Sequence, residues 1–236
     1  MQGWRHYRLL LRQNRFLNDL MIVILSVDVV FVALYALFGV LKAAGLAPEV
    51  ESMQLNSDSG LASVWNYGKF MALIAALFLI WLRERGASLL IMIGLFLFML
   101  LDDYYELHDQ IARGLGEHIS VTALDSLHPQ NRGELFVYAA ILAIAGPLLW
   151  LALTKARAPA LAFIGALAGG LIMIGVFGVA VDVLHGALDA VLGDFPDLIK
   201  KVFNRLMTII EDGGEMIAIS FCVWLCLIRL WERSAD

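Results

Sequence analysis

Charged side chains are scarce in this chain: they make up 17% of its 236 residues against 61% hydrophobic, and the mean hydropathy is +0.78. A soluble domain carries about 25% charged residues and is roughly half apolar, so the imbalance excludes a soluble globular reading. Cysteine is nearly absent. The two present, Cys222 and Cys226, stand within the last apolar run, which argues against a disulfide framework and for a buried, reduced pair. Basic residues nowhere interleave with aromatics as a nucleic-acid surface requires, so nucleic acid is excluded as a partner. There is no Gly-x-Ser-x-Gly nucleophile motif, and the His-x-x-x-His pair of integral-membrane zinc hydrolases is missing.

Long apolar runs are what the chain has instead. They predict spans over 19–42, 61–82, 86–108, 135–154, 159–187 and 207–230, each near the ~20 residues a helix needs to cross a ~30 Å hydrocarbon core. The expected fold is an all-α integral membrane protein, a bundle of about six transmembrane helices forming a single domain over 1–236. The first run is too long for the apolar part of a cleaved signal and lacks a small-residue cleavage site, so it reads as a retained span. Pro147 is expected to kink the fourth span. Gly165, Gly169, Gly170, Gly175 and Gly178 mark the fifth as a close-packed, central helix. The 190–206 stretch reads as an outer loop, with a short helix starting near Asp194 and Pro196. Asp28 reads as a core residue of the first span.

Orientation follows from lysine and arginine, which are retained on the cytoplasmic side. One set of termini and connections holds Arg5, Arg8, Arg12, Arg15, Arg83, Arg85, Lys155, Arg157, Arg229 and Arg233. The opposite connections hold Arg113, Arg132, Lys200, Lys201 and Arg205. Ten against five puts both termini in the cytoplasm; the expected location is a bacterial inner (plasma) membrane, multi-pass.

Acids and histidines gather in LDDYYELHD (101–109), GEL (133–135), VDVLHGALD (181–189) and EDGGE (211–215). Threaded through this topology, all four fall on the periplasmic or external side. The strictly apolar parts of the third and sixth spans, 86–101 and 216–228, are too short at ~1.5 Å per residue to cross the core alone, so both helices must continue into their acidic motifs. Helical phase puts Asp102, Glu106 and Asp109 on one stripe, with Tyr105 beside it and His108 flanking it. Asp182, His185 and Asp189 share a face of the fifth span, and Glu211 and Glu215 are one turn apart. The third, fifth and sixth spans are therefore expected to be neighbours.

Carboxylates with imidazole suit Zn, Fe or Mn, whereas oxygen ligands alone would suit Ca²⁺. The candidate ligands of a divalent metal are Asp102, Glu106, His108, Asp109, Asp182, His185, Glu211 and Glu215, with Glu106 or Glu215 as general base. Asp103, Tyr105, Glu134, Asp189 and Lys69 are candidates to support them. The Asp182-x-x-His185 pair resembles the Glu-x-x-His unit of carboxylate-bridged di-iron bundles. The chain has one clear copy, since Tyr105 stands three residues before His108, so the resemblance implies one metal more readily than two. Gly213 and Gly214 are expected to admit a ligand or to unwind the sixth span. In the plainer structural alternative, Asp182 and His185 are a hydrogen-bonded pair, and Glu211 and Glu215 are ion-pair partners of Lys69, Arg113 or Arg132.

The leading functional expectation is a metal-dependent enzyme, a hydrolase or an oxygen-activating oxidoreductase, acting on a lipid or other hydrophobic substrate at the outer face. Its alternative is a non-catalytic or cation-binding subunit of a membrane complex. Membrane lipids are the expected partners, with other subunits or a homo-oligomer in the second reading. A b-type haem held by His108 and His185 ranks last, because carboxylates surround both.

Overall fold

An apolar run without polar neighbours can satisfy its backbone only within itself, which makes it a helix. The computed structural model describes residues 15–46, 51–55, 57, 60–116, 118, 129–192 and 195–232. Among these are eight α-helices and no strand: α1 (Arg15–Ala43), α2 (Leu61–Glu84), α3 (Ala87–Tyr105), α4 (Leu107–Gly116), α5 (Pro129–Lys155), α6 (Ala158–Gly175), α7 (Asp182–Val191) and α8 (Asp197–Glu232). A π-helical segment, Val176–Val181, joins α6 to α7. Six stretches are long and apolar enough to cross a membrane: Arg15–Lys42, Leu61–Glu84, Ala87–Tyr105, Arg132–Lys155, Ala160–Leu188 and Asp197–Glu232. They coincide with the six predicted runs; the differences are at the ends.

Three of those differences shape the site. The third span does not run to residue 108: Glu106 turns left-handed, φ 47° and ψ 41°, and the chain restarts as α4. The Asp102 carboxylate accepts the backbone N–H of His108 at 3.0 Å, a local bond that competes with helix continuation. The fourth helix begins earlier than expected, at Pro129, whose fixed φ suits a first turn. Finally, α8 runs unbroken from Asp197 to Glu232, so Gly213 and Gly214 do not unwind it. A Cβ on Gly213 would lie 3.3 Å from the Val32 side chain, and one on Gly214 would run into the Phe177 ring. These glycines let α1 and the π segment approach α8.

The main core is built from Phe70, Leu73, Leu77 and Ile80 of α2, Leu89, Met92 and Phe96 of α3, Phe163, Ile164 and Leu167 of α6, and Ile219 of α8. Helix α8 packs against α1, α2, α6 and α7 and is the most buried of the six. It takes the central place expected of the glycine-rich fifth span. Cys222 and Cys226 are free and buried, and Gly170 is the small residue that leaves room for the Cys222 sulfur. The outward faces are apolar too, with Leu142 64%, Ile144 66% and Trp150 70% exposed.

One charged network lies within this apolar body. Asp28 of α1 and Lys69 of α2, only 1% and 3% exposed, pair at 2.8 Å. Trp65 Nε1 donates to Asp28 at 2.8 Å, the Ser220 hydroxyl donates to Asp28 at 2.6 Å, and Lys69 also donates to the Met216 carbonyl at 2.8 Å. Every member has a partner, which burial of charge demands. Asp28 is thus a core residue of the first helix, held there as one half of a buried ion pair.

Candidate functional site

At one end of the bundle the polar residues enclose a cavity of about 320 Å³. Helix α2 supplies Ser63 and Asn66; the end of α3, Asp103; the left-handed joint, Glu106; and α4, His108 and Asp109. Helix α5 contributes Gln130, Glu134 and Tyr138; the π segment, Gly178; α7, Asp182; and α8, Glu211, Asp212 and Glu215. Among the described residues, eight carboxylates and one imidazole line this space, with neither lysine nor arginine.

Local geometry explains which residues reach it. The break at Glu106 abolishes the continuous stripe of Asp102, Glu106 and Asp109, because residues on either side no longer share a helical phase. Glu106 and Asp109 line the cavity together with Asp103, while Asp102 turns away to hold His108, its Oδ2 lying 3.1 Å from the ring Nδ1. Tyr105 points outward, 54% exposed, against the ring of Tyr104 at 4.9 Å. On the fifth span, Asp182 faces the cavity and accepts from the Tyr138 hydroxyl at 3.3 Å. His185 stands behind Glu211, Nδ1 to Oε2 3.7 Å, with its ring against Phe203. Lys69 is committed to Asp28 and Met216, and Arg113 lies 3.4 Å from Glu106, so neither of these two cations pairs with Glu211 or Glu215. The side chain of Asp189 lies outside the described residues, as does Asp194.

Glu215 is the least compensated of the acids. It has no hydrogen-bond or ion-pair partner among the described residues, and the charges acting on it are those of Asp103, Asp212, Glu211 and Asp182. Its carboxylate lies against Gly178, where a Cβ would collide with it. Asn66 likewise presents a buried carbonyl oxygen without a hydrogen bond. His108, on α4, is partly buried, which disfavours its charged form; the hydrogen bond and charge of Asp102, with Asp109 and Asp103, outweigh this and hold its pKa above the ordinary 6.5.

Among the described residues, no three histidine, cysteine, aspartate or glutamate side chains meet at metal-ligand separation. They ring a space rather than close on a point. The sequence reading left Gln130, Tyr138 and Asp212 out of the site. With α5 starting at Pro129, Gln130, Glu134 and Tyr138 recur every fourth residue on one face, and Gln130 donates to Glu134 at 2.9 Å. The signal was the proline, a helix-start residue.

Residues 20–230 match the model of a family described as a domain of unknown function, DUF8692, and the chain belongs to that family. No curated protein and no solved structure matches it.

Proposed function

We propose that this DUF8692 member is a multi-pass integral membrane protein whose acidic cavity binds a divalent cation at the non-cytoplasmic face, as the working centre of an enzyme that acts on a lipid or other hydrophobic substrate. One observation carries the cation: eight carboxylates share a 320 Å³ cavity that no lysine or arginine among the described residues lines. Two unit charges ~6 Å apart repel by about 3 kcal/mol at an effective dielectric of ~20, and the repulsion accumulates over many pairs. Protons or a cation must offset it. The partnerless carboxylate of Glu215 and carbonyl of Asn66 are oxygen donors already dehydrated by the fold. The cavity is roomy enough for an ion that keeps some of its water, and its oxygen-rich lining favours Mn²⁺, Fe²⁺ or Ca²⁺ over Zn²⁺.

In this reading Glu211, Glu215 and Asp182 hold the ion and Glu106, at the joint between α3 and α4, is the general base. His185 orients Glu211, and Asp102 orients His108. The metal would polarise a substrate oxygen and acidify bound water. The exposed apolar side chains of the outward faces support the membrane and lipid parts of this reading.

The test is calorimetric titration of Mn²⁺ into chelator-stripped, full-length protein in non-ionic detergent. Saturable binding is expected, weakened at least tenfold by Glu215→Gln and by Glu211→Gln and unchanged by Asp19→Asn on the exposed start of α1. Equal binding by all four proteins would overturn the cation site. A second reading, a cation-binding subunit without catalysis, draws on α1, whose membrane-length stretch is the least buried of the six and leaves Ile22, Val23 and Val29 open to a partner. It would replace the first if loaded protein binds Mn²⁺ but produces no metal-dependent turnover of membrane lipid.

A further inference from the structure

At the opposite end of the helices lies a second cavity, larger and of opposite charge. Its volume is about 630 Å³, within the range of small-ligand pockets. Two connections enclose it: the turn from α2 to α3, with Arg83 and Arg85, and the turn from α5 to α6, with Lys155 and Arg157. Retention of positive charge on the cytoplasmic side accounts for basic residues at this end, but not for their convergence on one hollow from two separate turns.

The cations are available. Arg83, Lys155 and Arg157 make no ion pair with any described residue. Arg85 lies 4.8 Å over the Trp81 ring and donates through Nε to the Leu82 carbonyl at 3.1 Å, which leaves its terminal amino groups for a ligand. The one acid of the lining among the described residues, Glu84, pairs with Arg229 at 2.9 Å. A further observation points inward: Ser88 lines the cavity, is 3% exposed, and its hydroxyl has no hydrogen-bond partner among the described residues. That hydroxyl is free to donate to a ligand held in the cavity. Ser88 stands in the first turn of α3, and α3 and α6 both begin at this hollow with no side chain capping them, at Gly86 and Arg157, so their dipoles add to the positive field.

We propose that this basic cavity binds a phosphate group, carried by a small phosphate ester or by the headgroup of an anionic lipid. A carboxylate holds its two acceptor oxygens in one plane; a phosphate sets its oxygens in a tetrahedral array, with three non-bridging oxygens in a monoester and two in a diester headgroup, so that it can engage arginines from both turns and the Ser88 hydroxyl together. The site is independent of the acidic cavity and stands whether or not that one binds metal.

The experiment is calorimetric titration of full-length protein in non-ionic detergent with three probes: inorganic phosphate, a water-soluble short-chain phosphatidylglycerol and the matching phosphatidylcholine. The wild type should bind at least one anionic probe and not phosphatidylcholine. Binding should fall at least tenfold in the double variant Arg83→Gln/Arg157→Gln, and roughly five- to tenfold in Ser88→Ala, which keeps every charge. Lys201→Gln, at the far end of the molecule, should leave it unchanged. Binding of inorganic phosphate without binding of phosphatidylglycerol identifies a soluble phosphate ester as the ligand; binding of phosphatidylglycerol alone identifies a lipid headgroup; where the two compete, the tighter of them identifies the ligand. The proposal is overturned if neither anionic probe binds, if phosphatidylcholine binds as well, or if both the double variant and Ser88→Ala, with wild-type melting temperatures, retain full affinity.

Discussion

Glu215 is a residue whose environment was only partly written in its neighbours in sequence. Its one-turn spacing from Glu211 is legible; that it faces Gly178 of another helix is not, because the close approach depends on where the π segment places that glycine. The contact gives a sharp prediction. In Gly178→Ala the new methyl group must displace the Glu215 carboxylate, which is the free end of a flexible side chain, so folding should tolerate it. Affinity for Mn²⁺ should drop by roughly 10–100-fold, the range of changes that move a ligand without removing it, while the melting temperature of the stripped protein stays near wild type. Unaltered affinity would detach Glu215 from the ion. His108 offers a pH-dependent counterpart. Its pKa is raised in the folded state by Asp102, Asp109 and Asp103 against the effect of burial, so its contribution to stability is fully present below the unfolded value of about 6.5 and is lost as pH rises through the higher folded value. In chelator, the melting temperature of wild type should exceed that of His108→Gln most at acidic pH, and the gap should narrow above pH ~6.5. A gap that widens with pH would reverse the sign.

Helices are where the sequence is most readable and their joints where it is least. Six apolar runs of the right length appear as six helices, since apolar length alone selects that structure. The helix break after Tyr105 escaped because LDDYYELHD continues a helical pattern without glycine or proline; what ends α3 is a hydrogen bond from His108 back to Asp102, a choice between two local bonds of similar strength. The only two non-glycine residues with positive φ among the described residues are Glu106 and Arg85, one at each polar cavity. Left-handed backbone at a residue with a Cβ costs about 1–2 kcal/mol, and such positions concentrate at functional sites. The Asp28–Lys69 pair was equally hidden, as periodicity within one helix cannot show a partner on another. It ties α1, α2 and α8 together, and its burial makes the energetics asymmetric. Lys69→Met alone strands a buried carboxylate and should destabilise the protein by about 3–5 kcal/mol. Asp28→Asn/Lys69→Met leaves a neutral amide whose oxygen still accepts from Trp65 and whose NH2 can donate to the Ser220 hydroxyl oxygen, and should recover most of that loss. Unfolding in mixed detergent micelles compares them; a double variant as unstable as the single one would mean that the charge pair itself holds the three helices.

The whole molecule is polarised end to end: the cavity acids gather where α3 ends and at residues 211–215 of α8, and arginines and lysine where α2 ends and α3 and α6 begin. A helix of 24 residues such as α2 is ~36 Å long at ~1.5 Å per residue, enough to hold the two ends on opposite sides of a ~30 Å hydrocarbon core. The positive end should then be cytoplasmic, which predicts the accessibility of each. The native cysteines are buried and should give little background with an impermeant thiol reagent. Cysteines introduced at His118 and Phe195, exposed positions at the acidic end, should label on intact cells. One at Arg157, in the wall of the basic cavity, should label only after the membrane is opened. Labelling of Arg157→Cys from outside, with His118→Cys and Phe195→Cys protected, would invert the molecule and place the acidic cavity in the cytoplasm. If all three labelled on intact cells, the six helices would not separate two compartments, and the apolar outer faces would have to be covered by another protein instead of lipid.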